Sequence, residues 1–134
     1  MHFIQETGYT VKAGLTPELQ QWVAARGKRF AASYPAGTSL MGIYITVFTS
    51  EKNAGEVRLF EELDSYAALD RLAAAAKDPE CALGELMQEF YSFMDASPAA
   101  GWSAVLLKDI VEAVGWHSVA GPSAELKEPL GSGA

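Results

Sequence analysis

Apolar and polar residues along this chain switch between two periods, near two in some stretches and near 3.6 in those between, which separates strands from helices. Phe3 to Val11 carries the β-formers Phe3, Ile4, Thr7, Tyr9, Thr10 and Val11 and is a predicted first strand, ended by Gly14. Thr16-Pro17-Glu18 has the chemistry of a helix start, an N-cap hydroxyl followed by proline and an acid. Leu19, Trp22, Val23, Arg26 and Phe30 follow at helical spacing until Pro35-Ala36-Gly37 breaks the run. Ser39 to Thr49 is a second strand, with Ile43, Ile45 and Val47 alternating with Tyr44, Thr46 and Phe48. The polar segment from Ser50 to Gly55 predicts a hairpin loop, so the strand from Val57 to Leu63 returns antiparallel beside it. Its alternation places Val57, Leu59, Glu61 and Leu63 on one face and Arg58, Phe60 and Glu62 on the other.

Asp64 is the predicted N-cap of an alanine-rich helix running to Lys77, and Asp78-Pro79-Glu80 is the predicted start of the next. In that helix Leu83, Leu86, Met87, Phe90 and Met94 form one apolar stripe. After Ser97-Pro98-Ala99-Ala100-Gly101, Trp102 to Val111 is the predicted fourth strand. The order strand, helix, strand, strand, helical pair, strand is that of an α+β, ferredoxin-like split βαβ domain, a four-stranded antiparallel sheet with all helices on one face. One domain over 1–117 is expected, followed by a tail over 118–134 that has too few apolar residues to fold alone.

Charge and composition narrow the partners. A net charge of −7, with no basic cluster larger than Arg26-Gly27-Lys28-Arg29, argues against nucleic acid. No apolar run approaches the roughly 18 residues that cross a bilayer, and Met1-His2-Phe3-Ile4-Gln5-Glu6 lacks the features of a leader, so a cytoplasmic location without membrane contact is expected. Cys81 is expected to be a packed thiol, and the two histidines, His2 and His117, lie too far apart to build a metal site with it. No dinucleotide fingerprint, P-loop or serine elbow is present, and no cofactor is expected.

Gly8-Tyr9-Thr10-Val11-Lys12-Ala13-Gly14 and the stretch from Gly55 to Glu80 together resemble the NIPSNAP-like branch of the dimeric α/β-barrel superfamily. Tyr9, Thr10, Val11, Lys12 and Gly14 match that family's first-strand pattern. Ala13 replaces its proline, and Gln5 and Thr7 occupy its alternate acid and arginine positions. The resemblance spans about 3–111 and implies a homodimer, the uncovered sheet faces of two subunits meeting in a barrel-like core or pocket. A large exposed aromatic patch would otherwise remain around Tyr44, Phe48 and Phe60.

If Gln5, Thr7 and Tyr9 share that uncovered face with Tyr44, Thr46, Phe48, Arg58, Phe60 and Glu62, the surface is aromatic with a few polar groups, as small-molecule pockets and dimer interfaces both are. Glu62 is a candidate base and Arg58 a candidate support for an enolate or anionic oxygen, unless the two simply pair. Tyr9 and Tyr44 are candidate donors. Gln5, Thr7, Thr46, Phe48, Phe60, Trp102 and His117 complete the candidate substrate contacts, Trp116 and His117 standing where the tail could cover a pocket mouth. The resemblance to the wider superfamily implies isomerisation, cyclisation or cofactor-free oxygenation of a hydrophobic substrate, polycyclic or polyketide-like ones of bacterial metabolism included, bound between helices and sheet or at the sheet-to-sheet face. The alternative is a non-catalytic dimeric binding or interaction module.

Overall fold

The computed structural model describes residues 2–51, 55–98, 100, 102–113, 116–117 and 121–122 of the 134-residue chain. Strands β1 (Phe3–Tyr9), β2 (Thr38–Ile45), β3 (Val57–Leu63) and β4 (Trp102–Lys108) form one antiparallel sheet in the order β2-β3-β1-β4. Helices α1 (Thr16–Ala32), α2 (Ala68–Lys77) and α3 (Ala82–Ser92) connect them, and a short α4 (Ile110–Ala113) follows β4. This is the predicted split βαβ arrangement. Of the predicted tail only 121–122 are described, where Gly121–Pro122 pairs with Trp116–His117; the rest lies outside the described residues.

Alternation along β3 sorts the layers as the sequence suggests. Val57, Leu59, Glu61 and Leu63 are buried toward the helices, whereas Arg58, Phe60 and Glu62 are only partly covered. The helix stripes supply Leu19, Trp22 and Phe30 from α1 and Leu83, Leu86, Met87 and Phe90 from α3. Phe30 and Phe90 stack with ring centroids 6.0 Å apart, and Trp22 packs edge-on to Phe30 at 5.5 Å. Arg26 Nε lies 3.2 Å from Glu89 Oε1, which also accepts from Trp22 Nε1 at 3.1 Å.

Element ends differ from expectation in consistent ways. No side chain caps α1, since Thr16 already lies inside it and Leu15 precedes it. Asp64 does not cap α2; it lies 3.5 Å from Arg71, and Ser65 Oγ accepts from Ala68 N instead. Cys81, half-buried rather than packed away, is the N-cap of α3, accepting from Gly84 N at 3.5 Å and donating to the Ala75 carbonyl at 3.0 Å. β1 stops at Tyr9, Val11 adding a single bridge to Met94. β2 ends at Ile45, leaving Val47 and Phe48 in the loop, 95% and 88% exposed. β4 ends at Lys108 because Asp109 Oδ1 accepts from Val111 N at 2.8 Å and turns the chain into α4.

Candidate functional site

Register decides which candidate residues can meet. Across β1 and β3, Gln5 pairs with Glu61, Thr7 with Leu59 and Tyr9 with Val57, and directly paired residues share a face. Gln5, Thr7 and Tyr9 therefore face the helices, not the uncovered side, and the single-face constellation expected from sequence is corrected to two sites on opposite faces. Trp102 pairs with Tyr9 and so also belongs to the helix side, where it remains 69% exposed. His117 pairs with Gly121 across two short strands after α4.

The uncovered face brings together Tyr44, Thr46, Phe48, Arg58 and Phe60 around a shallow depression that also includes Glu6 and Glu51. Tyr44 packs edge-on to Phe60 at 5.3 Å. Arg58 does not pair with Glu62. Its Nη1 is held by Glu6, its Nη2 lies 3.7 Å from Glu51, and its Nε donates to Thr46 Oγ1 at 3.1 Å. Glu6 is thus the first-strand carboxyl on this face. Glu62 is drawn to the far end of the face by His2, whose Nδ1 is 3.0 Å away, and both are well exposed. An arginine already matched by two carboxylates and a hydroxyl has little charge left to offer a substrate.

The helix side holds the denser chemistry. Glu61 is 3% exposed at the centre of β3, and its Oε2 accepts a 2.5 Å hydrogen bond from Tyr34 Oη just beyond α1. Burial raises the pKa of this carboxyl, and the Tyr34 bond offsets the effect only in part. Burial likewise raises Tyr34, with the Glu61 charge adding to it, and raises Tyr9, where Tyr91 adds to it. A half-open pocket of about 150 Å³ reaches Glu61 between β1, β3 and the helices α2 and α3. Gln5, Thr7, Tyr9 and Glu61 form its polar floor; Leu69, Leu72, Ala73, Ala76 and Met87 form its apolar roof, and Tyr91 its rim. Thr7 is 8% exposed, and its hydroxyl, closed off from solvent, lies beside the Tyr9 hydroxyl and offsets part of the rise in its pKa.

Sequence reasoning placed Glu61 on the apolar face and then assigned the acid-base role to Glu62. The available signal was Glu61 itself, a carboxyl at the one polar position of an otherwise apolar strand face, a placement that costs free energy unless it is partnered or used. Tyr34, at the end of a helix and 27 residues away, carried no local mark. Among the described residues, no group of three or more His, Cys, Asp or Glu side chains could hold a metal ion, and no helix is long and apolar enough to cross a membrane.

An antiparallel four-stranded sheet with its helices on one side defines the ferredoxin-like class. Within that class the chain is similar to a NIPSNAP family protein from Agrobacterium tumefaciens, at 14% identity and a TM-score of 0.57 over 81% of this chain and 85% of that one. A NIPSNAP-like domain protein from Burkholderia xenovorans matches 99% of this chain and 97% of its own, at 13% identity and a TM-score of 0.57. A dimeric ferredoxin-like protein of unknown function from Thermobifida fusca matches 81% of this chain and 92% of its own, at 10% identity and a TM-score of 0.55. No protein-family model matches the sequence, and comparison with curated proteins finds no relative. The resemblance read from Gly8 to Gly14 and Gly55 to Glu80 therefore holds as a likeness of fold.

Proposed function

We propose that this protein is a homodimeric enzyme of small-molecule metabolism that moves a proton without a cofactor, and that Glu61 in the helix-side pocket is the group that moves it. The carrying observation is a carboxyl 3% exposed, tied at one oxygen to Tyr34 and lining a pocket with an apolar roof. A glutamate whose pKa is raised is a stronger base than a solvated one, and a neutral carboxyl is an acid in its other form. For a carbonyl substrate the step balances within the pocket. Glu61 takes a proton from the carbon beside the carbonyl, the C–H electron pair becomes a C=C bond, and the developing enolate oxygen is met by hydroxyl donors. The same carboxyl then returns the proton at that carbon or at a conjugated one, giving exchange or isomerisation with no oxidant or reductant. Small carbonyl compounds incubated with the protein in heavy water should exchange hydrogen for deuterium beside the carbonyl, observed by NMR; no exchange across a broad set opposes the reading.

The homodimer rests on the uncovered face. Met41 and Tyr44 from β2 and Val105 and Leu107 from β4 are each 44–55% exposed there and flank Phe60, an apolar surface that a second copy would cover. The dimeric ferredoxin-like neighbour supports this choice of occupant. Sedimentation should give a species of twice 14.3 kDa, and Tyr44→Glu together with Phe60→Glu should give a monomer that keeps its circular dichroism. A wild-type chain sedimenting at 14.3 kDa at micromolar concentration contradicts the dimer.

The second reading, a non-catalytic dimeric module, is favoured by one observation. Glu61 bonded to Tyr34 and Arg58 bonded to Glu6, Glu51 and Thr46 are each already satisfied, as structural polar groups are.

A further inference from the structure

We propose that the ligand of the helix-side pocket is an elongated, uncharged carbonyl compound, whose carbonyl end enters the pocket beside Glu61 and whose apolar body lies outside it along β4, on Trp102, Ala104 and Leu106. The inference rests on the reading above that this pocket is the working site, and adds the class of molecule that it takes.

The floor of the pocket continues where its roof stops. Gln5, Thr7 and Tyr9 of β1 line that floor, and across the next ladder they pair with Leu106, Ala104 and Trp102 of β4. Directly paired residues share a face, so the floor extends about 5 Å sideways onto the last strand of the sheet. The roof of α2 and α3 does not follow it. Trp102 is 69% exposed and Leu106 37%, and Ala104 between them is exposed as well. The result is an open shelf of four residue steps, about 13 Å at the rise of a strand.

Polarity divides the enclosed part from the open one. The pocket holds the Glu61 carboxyl, the Gln5 amide and the Tyr9 hydroxyl, whereas the shelf offers an indole, a methyl and an isobutyl group. A molecule polar at one end and apolar along its length matches that division. Charge is matched nowhere: the shelf residues carry none, and Glu61 is the only carboxyl or basic side chain among the residues lining the pocket. An anionic ligand would lose its hydration and meet no counter-charge in either part.

The second copy of the chain is not what lies on this shelf. Val105 and Leu107, which it covers in the homodimer proposed above, point to the opposite face of β4 from Trp102, Ala104 and Leu106. A copy seated on one face of the strand leaves the other open. Continuity with the pocket selects the ligand instead, since a body that extends from the carbonyl along the floor passes from β1 onto β4 and covers an exposed tryptophan and leucine.

Titration with 2-pentanone, 2-heptanone and 2-nonanone, followed by NMR of the backbone amides and of the Trp102 indole N–H, tests the class. The three ketones share one end and differ only in length. Full burial of a methylene is worth about fourfold in affinity and a one-sided shelf gives about half of that free energy, so 2-nonanone should bind about sixteenfold more tightly than 2-pentanone. All three should shift amides of β1 and β3, and the longer ones should also move the Trp102 indole signal. Nonanoate, an anion of equal length, should bind at least about tenfold more weakly than 2-nonanone. Trp102→Ser combined with Leu106→Ser changes two exposed positions and should cut the sixteenfold ratio to about twofold. Ala104→Glu, which sets a charge on the shelf, should do the same with circular dichroism unchanged. Equal binding of the three ketones, an unmoved Trp102 signal, tighter binding of nonanoate, or an undiminished ratio in both variants overturns the inference. A Trp102 indole N–H already protected from hydrogen exchange in the free protein also overturns it, because the shelf would then be covered by the chain itself. Length-dependent binding with no deuterium exchange on any of the ketones overturns the enzymatic reading and leaves the ligand class standing. Exchange at a rate independent of length, with no shift at β4, does the reverse.

Discussion

Glu61→Gln should lower the rate of proton exchange by about 10² to 10⁴, the range that a positioned general acid-base group contributes, while the protein stays folded. The substitution keeps the shape and a carbonyl oxygen that can accept from Tyr34, and removes only the group that gains and loses a proton. Stability separates this result from trivial unfolding. Burial raises the folded-state pKa of Glu61, so the folded chain holds that proton at pH values where the unfolded chain has released it. Its contribution is fully present below the ordinary glutamate pKa and is lost as pH rises through the folded value, at a limiting slope of about 1.4 kcal/mol per pH unit. The other titratable side chains at the site are Tyr34, Tyr9 and Tyr91; burial moves Tyr34 and Tyr9 further from neutrality. Glu61→Gln should therefore flatten the pH dependence of the melting temperature and match or exceed wild type near neutrality. A variant that keeps its exchange rate, or loses it only by unfolding, contradicts the assignment.

Gly84→Ala should lower stability by about 2–3 kcal/mol, on the order of 5–10 °C in melting temperature. In an exposed helix the same change would stabilise by nearly 1 kcal/mol, so propensity predicts the opposite sign. The difference lies in where α3 meets the end of α2. A Cβ on Gly84 would overlap the Asp78 carbonyl oxygen and stand 2.5 Å from its carbon. Both are backbone atoms that no rotamer change can move aside. The same turn contains the Cys81 cap, whose sulfur accepts from Gly84 N, so displacing α3 also loosens its start. Thermal unfolding followed by circular dichroism measures the change, and an unaltered or raised melting temperature would show that the two helices can separate at little cost.

How legible this molecule is from its sequence depends on whether a feature is local. The alternation of Val57, Leu59, Glu61 and Leu63 and the stripe from Leu83 to Met94 report directly on side-chain periodicity, and both faces come out as read. The element starts read from Thr16, Asp64 and Asp78 share cap chemistry with turns, and the structure uses Leu15, Ser65 and Cys81 at or near those places instead. Around β2 a bulge between Leu40 and Gly42 changes the count of residues, so Leu40, Ile43 and Ile45 share a face although they are not evenly spaced by two.

The site was harder because its parts are joined by register. Nothing in Phe3 to Tyr9 says that Gln5 lies opposite Glu61 and not opposite Glu62, and a shift of one residue moves Gln5, Thr7 and Tyr9 to the other face of the sheet. Glu6 would move with them, which is why its pairing with Arg58 was also missed. Gln5, Thr7 and Tyr9, read from the sequence as one set, do line one pocket together. That pocket lies under the helices, and its carboxyl is Glu61.

The most direct measurement is a pH titration of the Glu61 side-chain carboxyl by carbon-13 NMR. A buried acid-base group predicts a midpoint clearly above the ordinary glutamate value of about 4.3. A midpoint at or below that value would contradict the account.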